Sequence, residues 1–442
     1  MRTIAVIGGG VCGTLTTLHL LKGISSPWVR VVLIEKNKHV GRGVAYGTED
    51  DLHRLNVPAM NMSLFSDKPS HFVEWLKKRG EKNPELTFYP RMLYASYIKD
   101  TFESTRCSPF LELRHQEVVH IHKKKEYFEL VLGDHTQITA DVVIVATGNP
   151  SPSVPKAFLK IQHFRQFIAD PWKEGVLNSI KPEEDVFIIG TGLTMFDVVQ
   201  TLVHRQKNFS ITAFSRRGLL PRSHLSQEVW KSYIEKDLSL YCFEPQGNLR
   251  RDIRNFRKFV QDKKVPWQII FDQLRSFTPR VWQGYTQKVR RQFLRHFRPY
   301  WEVMRHRADS LLHKEIEALI QHNRVKIISG HIQDILFQDP AFHITFRKRG
   351  TAFLEQIKPT WIINCTGPTS NFSDLPNQLE YRLLQSGLAQ QDELCLGFET
   401  KQNTKGLFLV GPFLKSMFWE CTAVPELRAK AKEVADAVIS SL

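Results

Sequence analysis

A buried strand that runs straight into a glycine turn occurs twice in this chain, at Val6–Gly13 (VIGGGVCG) and at Ile188–Met195 (IIGTGLTM). Each turn is matched much later by an apolar strand ending in Thr-Gly, VVIVATG closing on Thr147 and Gly148, then WIINCTG closing on Gly367. The pattern sets a tight turn and the free amides of a helix start against a pyrophosphate. It restricts the chain to an α/β fold with two Rossmann-like dinucleotide-binding domains. In the first copy Gly8 permits the turn, Gly10 lets the backbone approach the phosphates, and Gly13 lets the next helix, expected over Thr14–Leu21, pack on the sheet. The second strand of that copy, Val29–Ile34, ends in Glu35, where a ribose-binding carboxylate is expected. A flavin reduced by a nicotinamide, FAD beside NADP, is the expected cofactor pair.

The second copy differs in two ways. After Gly190, Gly192 and Thr194 its third glycine is replaced by Met195, and its second strand, Ile211–Phe214, ends in Ser215, Arg216 and Arg217 without an acid. The planar guanidinium fork pairs with phosphate oxygens, so NADPH is expected in preference to NADH. A solvated basic turn is the alternative, since arginines are common on surfaces.

At 442 residues the chain exceeds one core, so two or three domains are expected. The division read from the motifs is a discontinuous FAD-binding domain, 1–180 with 327–442, and an NAD(P)-binding domain, 181–326, that carries a basic helical insertion. Short alternating strands precede each Thr-Gly turn, at Glu117–His122 and Tyr127–Leu132, then at Ile332–Phe337 and Phe342–Phe346. No apolar run reaches the roughly 18–20 residues that span a bilayer, and the first strand begins almost at Met1. A cytoplasmic location with no membrane partner is expected. The six scattered cysteines argue against a structural zinc site and a dithiol redox pair.

The net charge of +16 is concentrated. From Arg216 to Lys326 there are 24 Lys and Arg against 11 Asp and Glu, densest in RRQFLRHFRPYWEVMRHR at Arg290–Arg307. Helical spacing puts Arg291, Arg295 and Arg298 on one face and leaves Phe293, Phe297, Tyr300 and Trp301 to pack. This favours a solvated face, or a wall attracting anionic NADPH and a small, anionic organic substrate, over nucleic acid. Pro299 is expected to end or kink the helix.

The blocks GRGVAYGTEDDLHRLNVPAMNMS (Gly41–Ser63), GTGLTMFD (Gly190–Asp197), SRRGLLPRSH (Ser215–His224), RPYWEVMRHR (Arg298–Arg307) and FWECTAVPELR (Phe418–Arg428) resemble the bacterial FAD/NAD(P)-binding oxidoreductases of the YdhS type. That group shares its glycine-turn domain with the urate hydroxylase HpyO and the N-oxygenating CreE. The resemblance implies that Gly8, Gly10, Gly13 and Glu35 hold the adenine half of FAD. Asn56, Val57 and Ala59, with Met62, then run beside the flavin ring, and Gly411 and Trp419–Glu426 close over it. Thr422 is expected to cap the final helix, which begins near Val424 with Pro425 in its first turn.

Two departures stand out. The chain lacks the Phe-x-Gly and histidine expected of ordinary flavin monooxygenases after the first ATG turn, and Met304 stands where relatives show a histidine. The reaction implied is that of a monooxygenase, in which NADPH reduces FAD and a flavin peroxide hydroxylates the substrate. His53, His224 and His306 are the candidate acids or bases, because histidine titrates near neutral pH. A flavin reductase passing electrons to a partner, and a non-catalytic cofactor-binding sensor with an anionic partner, are the alternatives.

Overall fold

The computed structural model describes residues 1–205, 209–234, 242–375, 378–401 and 404–442. Its first strands are β1 (Arg2–Ile7), β2 (Val29–Ile34), β3 (Leu111–Arg114), β4 (Val118–Lys123), β5 (Phe128–Leu132), β6 (Gln137–Ala140), β7 (Val142–Val145) and β8 (Phe167–Ile168). They are followed by β9 (Asp185–Ile189), β10 (Ser210–Ser215), β11 (Val325–Gln338), β12 (Ala341–Lys348) and β13 (Leu354–Ile357). The chain closes with β14 (Trp361–Asn364), β15 (Ala389–Gln391), β16 (Phe398–Thr400) and β17 (Leu407–Leu409).

The first sheet has the order β17-β7-β1-β2-β3, all parallel. Its central strands are apolar runs because helices or other layers cover both faces. Ile4, Val6, Val31 and Leu33 face one core with helix Val11–Gly23 and the final helix, Val424–Ser440. Ala5, Ile7, Val32 and Ile34 face a second core, which also takes in Phe128 and Leu130 of the antiparallel meander β4-β5-β6. Each fully buried Ile, Leu or Val contributes about 1.5–3 kcal/mol of transfer free energy.

The second sheet has the order β13-β12-β11-β10-β9-β14-β8. Here β10, β9, β14 and β8 are parallel. The long β11 pairs in parallel with β10 over Val325–Ser329 and then antiparallel with β12, so the second meander is fused to its sheet.

This topology corrects the expected domain boundary at 327. Strands β11 to β14 belong with β9 and β10, and the small strand β8 joins them from the other side. The second unit therefore takes 325–364, and only the later part of the expected 327–442 segment returns to the first sheet through β17. The helical insertion leaves after β10 and rejoins at β11, inside the second unit as expected.

The basic stretch keeps only part of the face read from its spacing: Tyr300, expected to pack, is exposed and Arg298 is half-buried, while the helix is interrupted at Pro299 as expected. Phe293 is buried, and Phe297 and Trp301 pack around it with Trp282, Tyr285 and Trp419, while Arg291 and Arg295 are exposed. A π-helical turn over Phe293–Phe297 precedes a new helix, Arg298–Arg305, with Pro299 in its first turn. Proline is accommodated there because first-turn amides need no intrahelical acceptor.

Candidate active site

The two glycine turns lie at equivalent points of the two sheets. In the first sheet the strand order reverses between β1 and β7, the position where open α/β sheets bind ligands. Gly8 leaves β1 at φ +97°, and a Cβ there would lie 2.6 Å from Ala146 O at the end of β7. In the second sheet the reversal falls between β9 and β14. Gly190 leaves β9 at φ +104°, with its Cβ position 2.5 Å from Cys365 O at the end of β14. The same left-handed turn, pressed against the same neighbouring strand end, is built twice.

The residues of the first crevice fit a dinucleotide. Helix Val11–Gly23 starts at Gly10 without a side-chain cap or an acid in its first turn, so its leading amides are left for an anion. A methyl at Gly10 would meet only Gly43 Cα, at 3.7 Å, so two glycine backbones form the cradle. The Glu35 carboxylate ends β2, where its Oε2 accepts from Gly9 N at 2.5 Å and its Oε1 from Asn37 N at 2.8 Å. Thr147 is exposed beside Gly148 and donates to Glu380 Oε1.

In the second crevice Gly192 has open space around it and Thr194 is partly exposed in the first helical turn. Thr191 Oγ1 donates to Ser215 Oγ at 3.0 Å, and that oxygen accepts from Gly218 N at 2.9 Å, which fixes the end of β10. Arg216 is exposed with no ion-pair or hydrogen-bond partner among the described residues. Arg217 is engaged: it donates to the His296 and Arg295 carbonyls at 3.2 and 3.3 Å and lies over the Tyr300 ring.

Between the first unit and the basic helices lies a polar chamber of about 330 Å³. Asn56, Val57, Asn61, His224, Trp230 and Asp272 line it together with Arg275, Arg305 and Arg307. A short backbone pairing brings these parts together. His224 N donates to Ala308 O, Ala308 N to Arg222 O and Arg222 N to Val303 O, each at 2.9 Å, so SRRGLLPRSH and RPYWEVMRHR meet edge to edge. Arg307 pairs with Asp272, Arg305 Nε with Glu420 Oε2 at 2.8 Å, and Arg275 in bidentate fashion with Glu426. Arg305 Nη2, Arg307 Nε and Nη1, and Trp230 Nε1 are buried without a hydrogen-bond partner.

The three candidate histidines separate. His224 lines the chamber, with Nε2 3.0 Å from Asn56 O. Burial and the neighbouring Arg307 charge hold its pKa well below the usual imidazole range, so at neutral pH the ring is uncharged and serves to position the Asn56 loop. His53 does not line the chamber. It is buried in a network between the units, with Nδ1 2.6 Å from Thr48 Oγ1 and Nε2 2.9 Å from Thr201 Oγ1. His306 also lies outside, 3.0 Å from Glu302 Oε2. Burial alone would raise the Glu302 carboxyl, but the His306 hydrogen bond and the charges of His306, Lys415 and Arg298 outweigh it and hold it far below the usual range.

Other expected residues also move. Met62 is 2% exposed and packs in the core of the first unit. Val424 likewise is core. Thr422 does not cap the last helix; Ala423 is its N-cap, with no side-chain bond, although Pro425 does fall in the first turn. Gly411 abuts the first glycine-turn helix, a Cβ there falling 3.0 Å from Cys12 Sγ. From there Trp419 packs on Trp282, ring centroids 4.9 Å apart and tilted by 32°, so the segment ties the first unit to the basic helices. Sequence reasoning missed Asp272, Arg275, Arg305 and Arg307. The last two lay in a block already singled out, whereas Asp272 carried no signal beyond being an acid in a basic stretch.

His224 gives a pH prediction. Below about pH 6.5 the unfolded chain takes up a proton that the folded ring refuses, so stability falls with decreasing pH by at most about 1.4 kcal/mol per pH unit from this group. Urea unfolding at pH 7.5 and 5.5 should show a smaller loss for His224→Gln than for the parent; equal losses would remove His224 as a source.

Residues 5–150 match the family model described as FAD-NAD(P)-binding, and 83–274 match that of L-lysine 6-monooxygenase/L-ornithine 5-monooxygenase. The whole chain is similar to the uncharacterized protein Rv3403c of Mycobacterium tuberculosis, 19% identical over 516 residues that cover 99% of this chain and 95% of the relative. Its fold is similar to that of ornithine hydroxylase PvdA from Pseudomonas aeruginosa, with a TM-score of 0.66, 14% identity and 99% of both chains covered. It is also similar to ornithine N-hydroxylase KtzI from Kutzneria sp. 744, solved with reduced FAD, NADP+ and L-ornithine; the TM-score is 0.67, identity 12%, and coverage 100% of this chain and 99% of the other. The chain thus carries an FAD/NAD(P)-binding domain and a lysine/ornithine monooxygenase family domain. The match over 5–150 supports binding of FAD and NAD(P). The YdhS type is a finer assignment than these matches make. No helix among the described residues is long and apolar enough to cross a membrane.

Proposed function

We propose that this FAD- and NADPH-dependent monooxygenase hydroxylates the nitrogen of a small amine that also bears an anionic group, held in the 330 Å³ chamber. The observation that carries the reading is the chamber lining, where Arg275, Arg305 and Arg307, ion-paired with Glu426, Glu420 and Asp272, come together with Asn56 and Asn61. The first crevice, with Glu35, Thr147, Gly148, Asn56 and Val57, is read as the FAD site; the second, with Ser215 and Arg216, as the NADPH site. Bound FAD, once reduced, supplies oxygen activation.

The chain's own residues then bind and orient. Arg305 and Arg307 line the chamber beside Asn56 and Asn61 and are read as the side chains that meet the anionic end of the substrate. The amine end is left toward Asn56 and Asn61. Nitrogen needs a free lone pair to be oxygenated, and a guanidinium close to an amine lowers its proton affinity. Neutral His224 holds the Asn56 carbonyl without adding charge. Leu86 and Phe88, both buried, keep water from that side.

The test is NADPH oxidation and product analysis with amino carboxylates and with diamines of the same length. A charge-assisted hydrogen bond of about 1.5–3 kcal/mol predicts roughly 10- to 100-fold higher kcat/KM for the amino carboxylates. Diamines turned over as well would remove the anionic requirement. NADPH oxidation without a hydroxylated product from any amine would leave a reductase.

At the nucleotide site, Arg216→Ala should raise KM for NADPH about 10-fold and leave that for NADH unchanged, since its free guanidinium serves only the extra phosphate. Arg217→Ala should affect both, because it also holds the Arg295 and His296 carbonyls. Equal responses of NADPH and NADH to Arg216→Ala would end the phosphate role.

A further inference from the structure

A second cavity, of about 710 Å³, lies apart from the polar chamber, between the basic helical insertion and Trp419. Helices Trp267–Gln273 and Arg298–Arg305 form the wall between the two. On the first, Gln268 and Asp272 face the polar chamber while Phe271 faces the cavity; on the second, Arg305 faces the chamber while Trp301 and Met304 face the cavity. The cavity is aromatic, with Phe256, Trp282, Phe293 and Trp419 among its lining. Protein interiors seldom leave voids much larger than a water molecule, because the lining then loses its dispersion partners. An apolar space of this size has the dimensions of a ligand site.

Its charge identifies the ligand further. Helix Leu249–Lys263 runs along the mouth and turns Arg250, Ile253 and Arg257 toward the cavity, at helical spacing. Both arginines are exposed and neither has an ion-pair partner among the described residues. The carboxylate in the lining, Asp252, is occupied: its oxygens accept from Gln246 N at 2.8 Å, Gly247 N at 3.1 Å and Tyr285 OH at 3.3 Å. An apolar interior with a cationic rim is complementary to an apolar anion.

We infer that this aromatic cavity is a second ligand site, distinct from the polar chamber, and that it takes an apolar monocarboxylate whose acyl or aryl body fills the cavity while its carboxylate meets Arg250 and Arg257. Nothing in this inference rests on the monooxygenase reading, since binding needs neither NADPH nor oxygen.

Calorimetric titration of the FAD-loaded protein with octanoate, decanoate, decanol and 2-naphthoate tests it. Burying methylenes at about 0.8 kcal/mol each predicts that decanoate binds roughly 10-fold tighter than octanoate. Arg250→Glu with Arg257→Glu should weaken decanoate at least about 10-fold and leave decanol unchanged. Ile253→Trp, which fills the cavity, should weaken both. Tighter decanoate assigns an acyl body and tighter 2-naphthoate an aryl one. No saturable binding of either carboxylate overturns the inference, as does decanoate affinity that neither the charge reversal nor Ile253→Trp alters. Because both arginines are surface residues, their replacement leaves the fold intact for the comparison.

Discussion

Gly13→Ala is expected to give protein that purifies without flavin, whereas Gly190→Ala should keep its flavin and lose reduction by NADPH. At Gly13 an added Cβ would fall 1.8 Å from Gly8 O. The contact is backbone on both sides, so relief requires the helix Val11–Gly23 to move off the turn whose amides it directs at the phosphates. At Gly190 the added Cβ meets Cys365 O at 2.5 Å from a residue held at φ +104°, and the ends of β9 and β14 must part. Overpacking and left-handed strain together cost about 2–4 kcal/mol, or roughly 30- to 1000-fold in cofactor affinity. Flavin absorbance per protein, followed by the rate of bleaching under NADPH without oxygen, reads the two sites separately. A flavin-free Gly190→Ala beside a flavin-loaded Gly13→Ala would exchange the cofactors between the units. Loss of flavin from both would show that the second turn supports the first crevice mechanically.

The pair of units was legible because glycine turns have backbone causes. The left-handed turns at Gly8 and Gly190 followed from local sequence alone; the strand ends they press against, Ala146 and Cys365, are far away in the chain. The boundary at 327 was not legible. A strand buried on both faces reads as an apolar run whichever parallel sheet it joins, so WIIN at β14 gave no sign that it would pair with β9. The same limit explains Met62: an apolar residue beside a cofactor loop has the same pattern whether it lines the site or the core, and burial decided for the core. His53 and His306 were singled out by chemistry, yet long-range pairing with Thr201 and a local one with Glu302 absorbed them elsewhere. The polar chamber depends on contacts between residues far apart in the chain, such as Arg307 with Asp272, and periodicity carries no record of those.

The chamber arginines have two different tasks, and Glu420→Ala and Arg307→Met should separate them. Glu420 is 5% exposed, and its carboxylate receives Arg305 Nε at 2.8 Å and Trp301 Nε1 at 2.9 Å. Burial lowers the Arg305 pKa, but the charges of Glu420, Glu426 and Asp272 outweigh it and the net shift is upward; a guanidinium is not deprotonated in proteins, so it stays charged when Glu420 is removed. Removing Glu420 therefore strands a buried cation and a buried indole donor, at about 3–5 kcal/mol of folding stability. Replacing both partners with methionine should restore most of that loss, because the desolvation penalty disappears with the pair. Arg307 is the contrasting case. Asp272 is about a third exposed and can be rehydrated, and Arg307 already has two buried N–H groups unpaired. Removing that side chain strands little, so Arg307→Met should cost far less stability while raising KM for an amino carboxylate about 10- to 100-fold. Urea unfolding and steady-state kinetics on the two variants give the comparison. If Glu420→Ala unfolds like the parent, the Arg305 pair is not what joins the C-terminal segment to the basic helices. If Arg307→Met leaves KM unchanged, the anionic end of the substrate lies elsewhere in the chamber.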